Sequence, residues 1–186
     1  MSLIIPSILN SLCFSSPKNI CRNFEKISSG KDIAYFKDNG SSILAVAHLD
    51  TVNKPGLNYS AKAKLDAELY FNPYLDDRLG VYTILHLLPS LGINMDFLFT
   101  LGEETGNSTA RIFKPNKKYN WIVEFDRRGE DVVDYSFCDL DLEARLKEAG
   151  FCMGFGSFSD ICLMEGGGCK AFNVGIGYFN EHSTRP

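Results

Sequence analysis

Five short polar segments recur along this chain, and four of them directly follow an apolar run. The segments are His48-Leu49-Asp50, Asp76-Asp77, Glu103-Glu104, Glu124-Phe125-Asp126 and Asn180-Glu181-His182. An apolar run that stops at polar residues is typical of a buried strand that ends at the edge of a sheet. The simplest arrangement therefore places all five segments on one rim of a single sheet, where ligands collect in folds of this kind.

Strand-like and helix-like patterns alternate between these segments, which predicts an α/β fold: a mixed sheet with helices on both faces. Asn39-Gly40 is a hairpin-turn signal between the strands at 32–36 and 42–47, and Pro89 is expected to end the helix that starts at Asp76. Further strands are expected at residues 96–100, 121–125 and 171–178, a strand or hairpin at 61–71, two short helices within 5–27, and a helix at 142–149. With 186 residues and no repeat or linker, residues 1–186 are expected to form one domain.

Composition excludes several classes of partner. The net charge is −4, with basic and acidic residues interspersed, so no extended positive surface is expected for nucleic acid. No apolar stretch approaches the length of about 20 residues that crosses a membrane, and no secretory signal is expected at the N-terminus. The six cysteines are expected to be free thiols in the cytoplasm. A structural zinc on Cys152, Cys162 and Cys169 is an alternative, although their spacing fits no common zinc motif.

His48 closes the apolar run at 43–47, and Asp50 lies two residues further on, so in extended backbone both side chains point to the same side. That spacing allows Asp50 to hold the second ring nitrogen of a metal-binding imidazole. The alternative is a strand-end histidine capped by an aspartate. For Asp76, at the start of a predicted helix, the alternative is a simple N-cap.

Glu103 and Glu104 follow the buried run at 97–100 without a nearby basic partner. Adjacent extended residues point to different sides, so one glutamate can bind metal while its neighbour faces a substrate. Asp126 is either a further ligand or the ion-pair partner of Arg127 or Arg128. His182 follows the last apolar run, whereas His86, inside an apolar helix, is expected to be a core histidine.

Charge favours a joint interpretation of these residues as a metal centre. Three carboxylates (Asp76, Glu104 and Asp126) and two neutral imidazoles (His48 and His182) carry −3, and two Zn²⁺ ions with a hydroxide bring the sum to zero. Without metal, carboxylates that converge on one rim repel each other and raise each other's pKa. Zinc suits a mixed nitrogen and oxygen site, and Mn²⁺ or Co²⁺ could substitute.

In the order and type of these motifs the chain resembles the dizinc exopeptidase superfamily, which includes bacterial leucyl aminopeptidases, tetrahedral aminopeptidases and peptidase T. The form Leu75-Asp76-Asp77-Arg78-Leu79-Gly80 is most similar to the tetrahedral aminopeptidases. The resemblance implies the three-layer zinc-exopeptidase (phosphorylase/hydrolase-like) fold and covers its catalytic domain only. The intervals 51–75 and 127–158 are too short for the lid or dimerisation domain of larger relatives.

The resemblance also implies a role for each residue. Asp76 would bridge two metals, His48 and Asp126 would complete one site, and Glu104 and His182 the other. Glu103 would be the general base toward a water shared by the metals, and Asp50 would support His48. The peptide bond between Asp76 and Asp77 would be cis.

These expectations predict a metal-dependent exopeptidase. Within that class an aminopeptidase is favoured, because no lid arginine is evident to capture a substrate carboxylate. The expected partner is a small peptide or N-acyl substrate, and the oligomeric state stays open, a monomer included. The alternatives are an amidohydrolase or deacylase, a single-zinc cyclase on the same fold, and a non-catalytic binding module, which would have no need for this acidic group.

Overall fold

A computed structural model describes residues 4–52, 64–66, 69–71, 75–137, 139–164 and 169–179 of the chain. The strands are, in chain order, β1 (Glu25–Ser29), β2 (Asp32–Lys37), β3 (Ile43–His48), β4 (Lys64–Asp66), β5 (Leu69–Phe71), β6 (Asp96–Thr100), β7 (Trp121–Arg127), β8 (Asp131–Val133), β9 (Cys152–Met153) and β10 (Lys170–Gly175). The α-helices are α1 (Ile4–Phe14), α2 (Pro17–Ile20), α3 (Leu75–Tyr82), α4 (Leu88–Ser90) and α5 (Leu140–Glu148).

Eight of these strands form one mixed sheet in the order β1-β2-β6-β3-β7-β10-β8-β9. The four central strands, β6, β3, β7 and β10, run parallel to one another, whereas β2 joins β6 and β8 joins β10 in antiparallel pairs. The register pairs His48 with Thr100, the last residues of β3 and β6. The carboxyl ends of the central strands therefore meet at one edge, as the sequence predicted.

Helical segments cover both faces of the sheet, which confirms the predicted α/β class. On one face, α1 and α3 bury apolar side chains against β3, β6 and β7, and α5 packs Leu142 and Leu146 beside them. The other face is covered by two short 3₁₀-helices, Thr109–Ile112 and Asp160–Leu163. Strands β3 and β6 are almost entirely buried between the layers, with Leu44, Val46 and Leu98 at 0% exposure. No described helix is long and apolar enough to span a membrane.

The predicted hairpin between β2 and β3 is wrong, because β6 lies between the two strands. The turn at Asn39-Gly40 instead crosses the beginning of β6. The backbone amides of Asn39 and Ser41 donate to the Asp96 carboxylate at 2.8 and 3.0 Å, which draws the turn over that strand. The hairpin option for residues 61–71 is confirmed in the described part, where β4 pairs with β5.

Two helix predictions also need correction. Residues 25–27, expected to belong to the second helix, lie in the edge strand β1, and α2 has only four residues. Pro89 does not end the long helix. Proline crowds the carbonyl four residues earlier, and here the backbone widens into a π-helical turn, Thr83–Leu87, and continues through Pro89 to Ser90.

The helix α3 lies very close to β7 at Gly80. A Cβ atom at this position would meet the carbonyl oxygen of Phe125 at 1.8 Å, so only glycine permits the contact. The contact fixes Asp76, one turn before Gly80, relative to Asp126, the residue after Phe125.

No cis peptide bond occurs among the described residues. The cis expectation for Asp76-Asp77 is wrong because the helix already begins at Leu75 and needs no reversal there.

Candidate metal centre

Three predicted site residues converge at the edge where the parallel strands end. His48 is the buried last residue of β3, Asp126 lies near the end of β7, and Glu103 begins a 3₁₀-turn after β6. The imidazole Nε2 of His48 lies 2.7 Å from Oδ1 of Asp126. One ligand atom from each of the three lies within 4.8 Å of the others, and among the described residues this is the group that could hold a metal ion.

The same cavity contains two further predicted ligands. Asp76, buried in the first turn of α3, and Glu104 both line it together with the three converging residues. The structure thus brings five of the seven predicted site residues to one cavity, with Glu103 and not Glu104 in the tightest group. His182, the remaining predicted ligand, lies outside the described residues.

Asp50 supports the site differently from the sequence prediction. Its carboxylate lies 3.6 Å from Nδ1 of His48, beyond hydrogen-bond distance, and that nitrogen is 3.2 Å from the carbonyl oxygen of Asp50. The carboxylate instead accepts from the backbone amides of Glu103 and Glu104 at 3.3 and 3.2 Å. Burial acts to raise the pKa of Asp50, but the His48 imidazole and the Glu104 amide together hold it below its ordinary value.

The electrostatics of the cavity fit a cation. Burial, and after it the charge of Asp126, raises the pKa of Glu103 to about 8. Ionised Glu103 is therefore favoured at neutral pH only with a compensating positive charge nearby. A divalent ion in the cavity would supply that charge and lower the pKa of Glu103. The donor set, one imidazole and several carboxylates, is the chemistry that zinc and similar ions bind.

Asp126 is held by its own backbone. Its amide donates to Oδ1 of Asn173 at 3.3 Å, and its carbonyl accepts from the Tyr178 hydroxyl at 2.6 Å. Both partners line the cavity. The side chain therefore contacts His48, while Arg127 pairs with Asp131 at 2.5 Å, so the alternative of an Asp126–Arg127 ion pair is not what the structure contains.

Two carboxyl groups that the sequence analysis did not select lie fully buried beneath the site. Glu124 accepts from the amide of Asp160 at 3.2 Å and from the hydroxyl of Ser159. Asp160 in turn accepts from the hydroxyl of Thr100, the last residue of β6. Burial raises the pKa of both groups, Asp160 to about 6. The pair joins β6, β7 and the 3₁₀-helix behind the cavity, and Glu124 could have been noticed as a carboxylate inside an apolar strand.

Arg78 also had no role predicted from the sequence. It is 2% exposed, and its Nη1 donates to the carbonyl oxygen of Leu49, between His48 and Asp50, at 2.7 Å. A buried guanidinium in α3 thereby fixes the end of β3. Its position two residues after Asp76, within the same motif, is the sequence feature that could have indicated a role at the site.

The rest of the cavity is lined by residues of different chemistry, which are Arg127, Arg128, Tyr135, Phe158, Asn173 and Tyr178. Tyr135 has a positive φ of 49°, which is uncommon for a bulky residue and concentrates at functional sites. Its hydroxyl donates to the carbonyl oxygen of Phe158 at 3.1 Å. No sequence motif marks this part of the site, because its residues come from the end of β7, from strand β10 and from the segments that follow β7, β8, β9 and β10.

Two other predictions concern histidine and cysteine. His86 is exposed and stacks on Tyr82 with ring centroids 5.6 Å apart, so the expectation of a core histidine is wrong: it points outward on the π-helical turn. The described cysteines are free thiols, and Cys138 lies outside the described residues. None of the described cysteines belongs to the group that could hold a metal.

No family model and no curated protein matches this sequence. Three solved structures are similar in fold. Aminopeptidase PepT from Bacillus cereus has 11% identity and a TM-score of 0.59, over 98% of this chain and 87% of that chain. Glutaminyl cyclase from Porphyromonas gingivalis has 14% identity and a TM-score of 0.55, over 95% and 84%. A Zn-dependent exopeptidase from Parabacteroides distasonis has 14% identity and a TM-score of 0.51, over 92% and 74%.

Identities this low carry information on the fold alone. They confirm at that level the resemblance to the zinc exopeptidases on which the sequence analysis relied. The chain has the fold that zinc-dependent exopeptidases, an aminopeptidase and glutaminyl cyclases share.

Proposed function

We propose that this protein is a metal-dependent hydrolase of amide bonds, and within that class an exopeptidase that acts as an aminopeptidase. The observation that carries the proposal is the convergence of His48, Glu103 and Asp126 at the carboxyl ends of parallel strands. Asp76 and Glu104 line the same cavity, and a cation bound among these acidic groups would offset their mutual repulsion. The shared fold supports the same class.

His48, Asp76, Glu104, Asp126 and His182 would hold the metal, and two Zn²⁺ ions match their charge. Bound there, zinc would act as a Lewis acid on the scissile carbonyl. Glu103 would take a proton from the attacking water, whose oxygen adds to the carbonyl carbon, and deliver that proton to the amine that leaves when the C–N bond breaks. The Asp50 carboxylate holds the backbone of Glu103 in place for this transfer.

The cavity supports an aminopeptidase because Glu103, the acidic residue that is not assigned to the metal, can attract the protonated amine of an unblocked peptide. A second candidate is a glutaminyl cyclase or deacylase on the same fold. The cyclases among the similar structures favour it. The two candidates differ in metal content and in whether the product of an N-terminal glutamine substrate is cyclic.

The test is elemental analysis of protein reconstituted with zinc, combined with assays of aminoacyl amides, N-acyl amino acids and an N-terminal glutaminyl peptide. Two metals per chain and release of free amino acids, both abolished by a chelator, are the expected results. One metal per chain with release of a cyclised product would favour the cyclase. Less than one metal per chain would contradict the metal centre itself.

A further inference from the structure

The cavity of the metal centre is small and its lining is mostly polar. Its volume is about 200 Å³, below the range of about 300 to 1,000 Å³ that ligand pockets usually have. A second cavity, at the opposite end of the sheet beside Lys37 and Pro89, measures about 440 Å³. Among the described residues that line the smaller cavity, Phe158 is the one with a wholly hydrocarbon side chain. A large apolar group placed there would have few apolar contacts and would remove charged groups from water.

Phe158 belongs to a segment whose backbone is fixed by hydrogen bonds. Its carbonyl oxygen accepts from the Tyr135 hydroxyl at 3.1 Å. The hydroxyl of the next residue, Ser159, donates to the carboxylate of Glu124, and the Asp160 amide donates to the same carboxylate at 3.2 Å. Both Ser159 and Asp160 are fully buried. The half-buried side chain of Phe158 is therefore held at the cavity by the residues that follow it.

The part of the segment that precedes Phe158 is fixed as well. Gly154 passes so close to Asp131 that a Cβ atom would meet a carboxylate oxygen at 1.9 Å. The carbonyl oxygen of Phe155 accepts from Nη2 of Arg127 at 3.1 Å, and the same guanidinium contacts the two oxygens of Asp131 at 2.5 and 2.7 Å. Since the backbone is held on both sides of Phe158, a smaller side chain at this position would leave space that the surrounding structure fills only in part.

We propose that Phe158 limits the size of the substrate residue that enters the metal cavity, so that the protein removes glycine, alanine or serine from the N-terminus of a peptide and excludes residues as large as leucine or glutamine. The proposal rests on the proposed aminopeptidase function and names its substrate class. The N-terminal residue is the part that must fit, because it lies between the scissile bond and the cavity wall, whereas the rest of the peptide extends into solvent. Phe158 takes no part in the proton transfer.

The first test compares alaninamide, leucinamide and glutaminamide on the zinc-loaded protein, with hydrolysis and cyclisation counted together. The kcat/KM of alaninamide should be about 10- to 100-fold above those of the other two, as is usual when a pocket discriminates by size. Glutamine is as large as leucine but polar, so it separates the effect of size from that of polarity. Turnover of leucinamide or glutaminamide as fast as that of alaninamide would overturn the size limit and leave a metal-dependent hydrolase or cyclase in place.

The second test changes the wall of the cavity. Phe158→Ala should lower the ratio of alaninamide to leucinamide kcat/KM by about tenfold or more, and Phe158→Leu should give an intermediate ratio. Phe155→Ala is the matched control, because it removes a ring from the same segment that is 90% exposed and does not line the cavity, and it should keep the ratio. The leucine variant decides the question if the alanine variant does not fold. An unchanged ratio in the folded Phe158 variants would overturn the role of Phe158.

Calorimetry with alanine hydroxamate and leucine hydroxamate, in which a metal-binding group replaces the scissile amide, gives a result without turnover. The zinc-loaded protein should bind the alanine compound about tenfold more tightly, and Phe158→Leu should reduce the difference while Phe155→Ala keeps it. If no amide is hydrolysed but this difference is present, the proposed function fails and the size limit stands. If the two hydroxamates bind equally or not at all, the size limit fails.

Discussion

At the scale of single residues, the two adjacent glutamates, Glu103 and Glu104, have distinct proposed roles that can be tested separately. Glu103 lies in the tightest group with His48 and Asp126, whereas the proposal makes Glu103 the general base and Glu104 the ligand. Both share one turn and the same amide contacts with Asp50. Variants at the two positions therefore separate proton transfer from metal binding within one local environment.

We expect Glu103→Gln to keep its zinc and to lose about 10²- to 10⁴-fold in kcat, because an amide of the same shape cannot accept the proton. Glu104→Gln, the matched control, should lose zinc. Elemental analysis and steady-state rates of both variants provide the measurement. Loss of metal in Glu103→Gln with retention in Glu104→Gln would mean that the two roles are exchanged.

Asp96 connects several segments at the opposite end of the sheet. It is fully buried at the start of β6 and accepts from the hydroxyl of Tyr119 at 2.7 Å and from two backbone amides, with the ammonium of Lys117 at 2.6 Å. Burial acts to raise the pKa of Asp96, but Lys117 and the other donors together hold it below its ordinary value.

A depressed carboxyl pKa gives stability that is fully present above the unfolded pKa of about 4 and is lost as pH falls through the folded value. We expect Asp96→Asn to lower the free energy of unfolding at pH 7 by about 2 kcal/mol and to flatten its decline toward pH 3. Denaturant unfolding at several pH values measures this. Asp38→Asn, which removes the exposed partner of the same lysine, should lower the free energy of unfolding by less than about 1 kcal/mol. An equal effect of both variants would contradict a special stabilising role of the buried Asp96.

At the scale of elements, the contact of α3 with β7 determines the geometry of the site. The helix reaches the backbone of Phe125 only because Gly80 has no side chain. Replacement of a helical glycine by alanine ordinarily stabilises a protein by about 1 kcal/mol. Here the added methyl group would overlap the carbonyl oxygen, and the steric effect exceeds the propensity gain.

We therefore expect Gly80→Ala to reduce the free energy of unfolding by about 2 to 3 kcal/mol. It should also weaken zinc affinity, since Asp76 and Asp126 are fixed through this contact. Thermal unfolding and metal titration measure the two effects. Gly30→Ala, at a turn with open space around it and a φ of +60°, is the control: about 1 kcal/mol of backbone strain and no effect on zinc. Unchanged stability in Gly80→Ala would rule out the close approach.

Strands were predictable from sequence where apolar runs end in a polar segment, as at His48 and Thr100. Their pairing was not, because β6 lies between β2 and β3 although it comes later in the chain. The local signal at Asn39-Gly40 cannot indicate the carboxylate of Asp96, which lies 57 residues after Asn39. The π-helical turn at Thr83–Leu87 was likewise not predictable from the rule that a helix ends at proline. Local chemistry specifies elements, whereas long-range hydrogen bonds decide their neighbours.

The residues of the candidate site likewise fall into those that the sequence indicates and those that only the folded structure brings together. The acidic and histidine ligands are recognisable because they follow strands in order. Arg128, Tyr135 and Asn173 line the same cavity, but they come from a turn, a strained loop and the next strand, with no motif to mark them. The buried pair Glu124 and Asp160 depends on tertiary contacts across β7 and a 3₁₀-helix.

At the scale of the whole molecule, metal binding should be linked to stability. The carboxyl groups of the cavity repel each other in the absence of a cation, and an ion that binds only the folded protein stabilises it by mass action, by about 2.7 kcal/mol at a free concentration of 100 times Kd. We expect zinc to raise the Tm by about 5 to 10 °C. Differential scanning calorimetry with and without a chelator measures the shift; a Tm that zinc leaves unchanged would contradict a metal centre in this cavity.

The bond between the Asp50 carboxylate and the amides of Glu103 and Glu104 ties the loop after β6 to the end of β3 through protein atoms alone. These contacts need no metal ion, so we expect the loop that carries the base to keep its shape when the ion is removed. Metal binding should then be a simple association, first order in free metal and without a slow folding phase. A protein stripped with a chelator should accordingly recover its metal without being refolded.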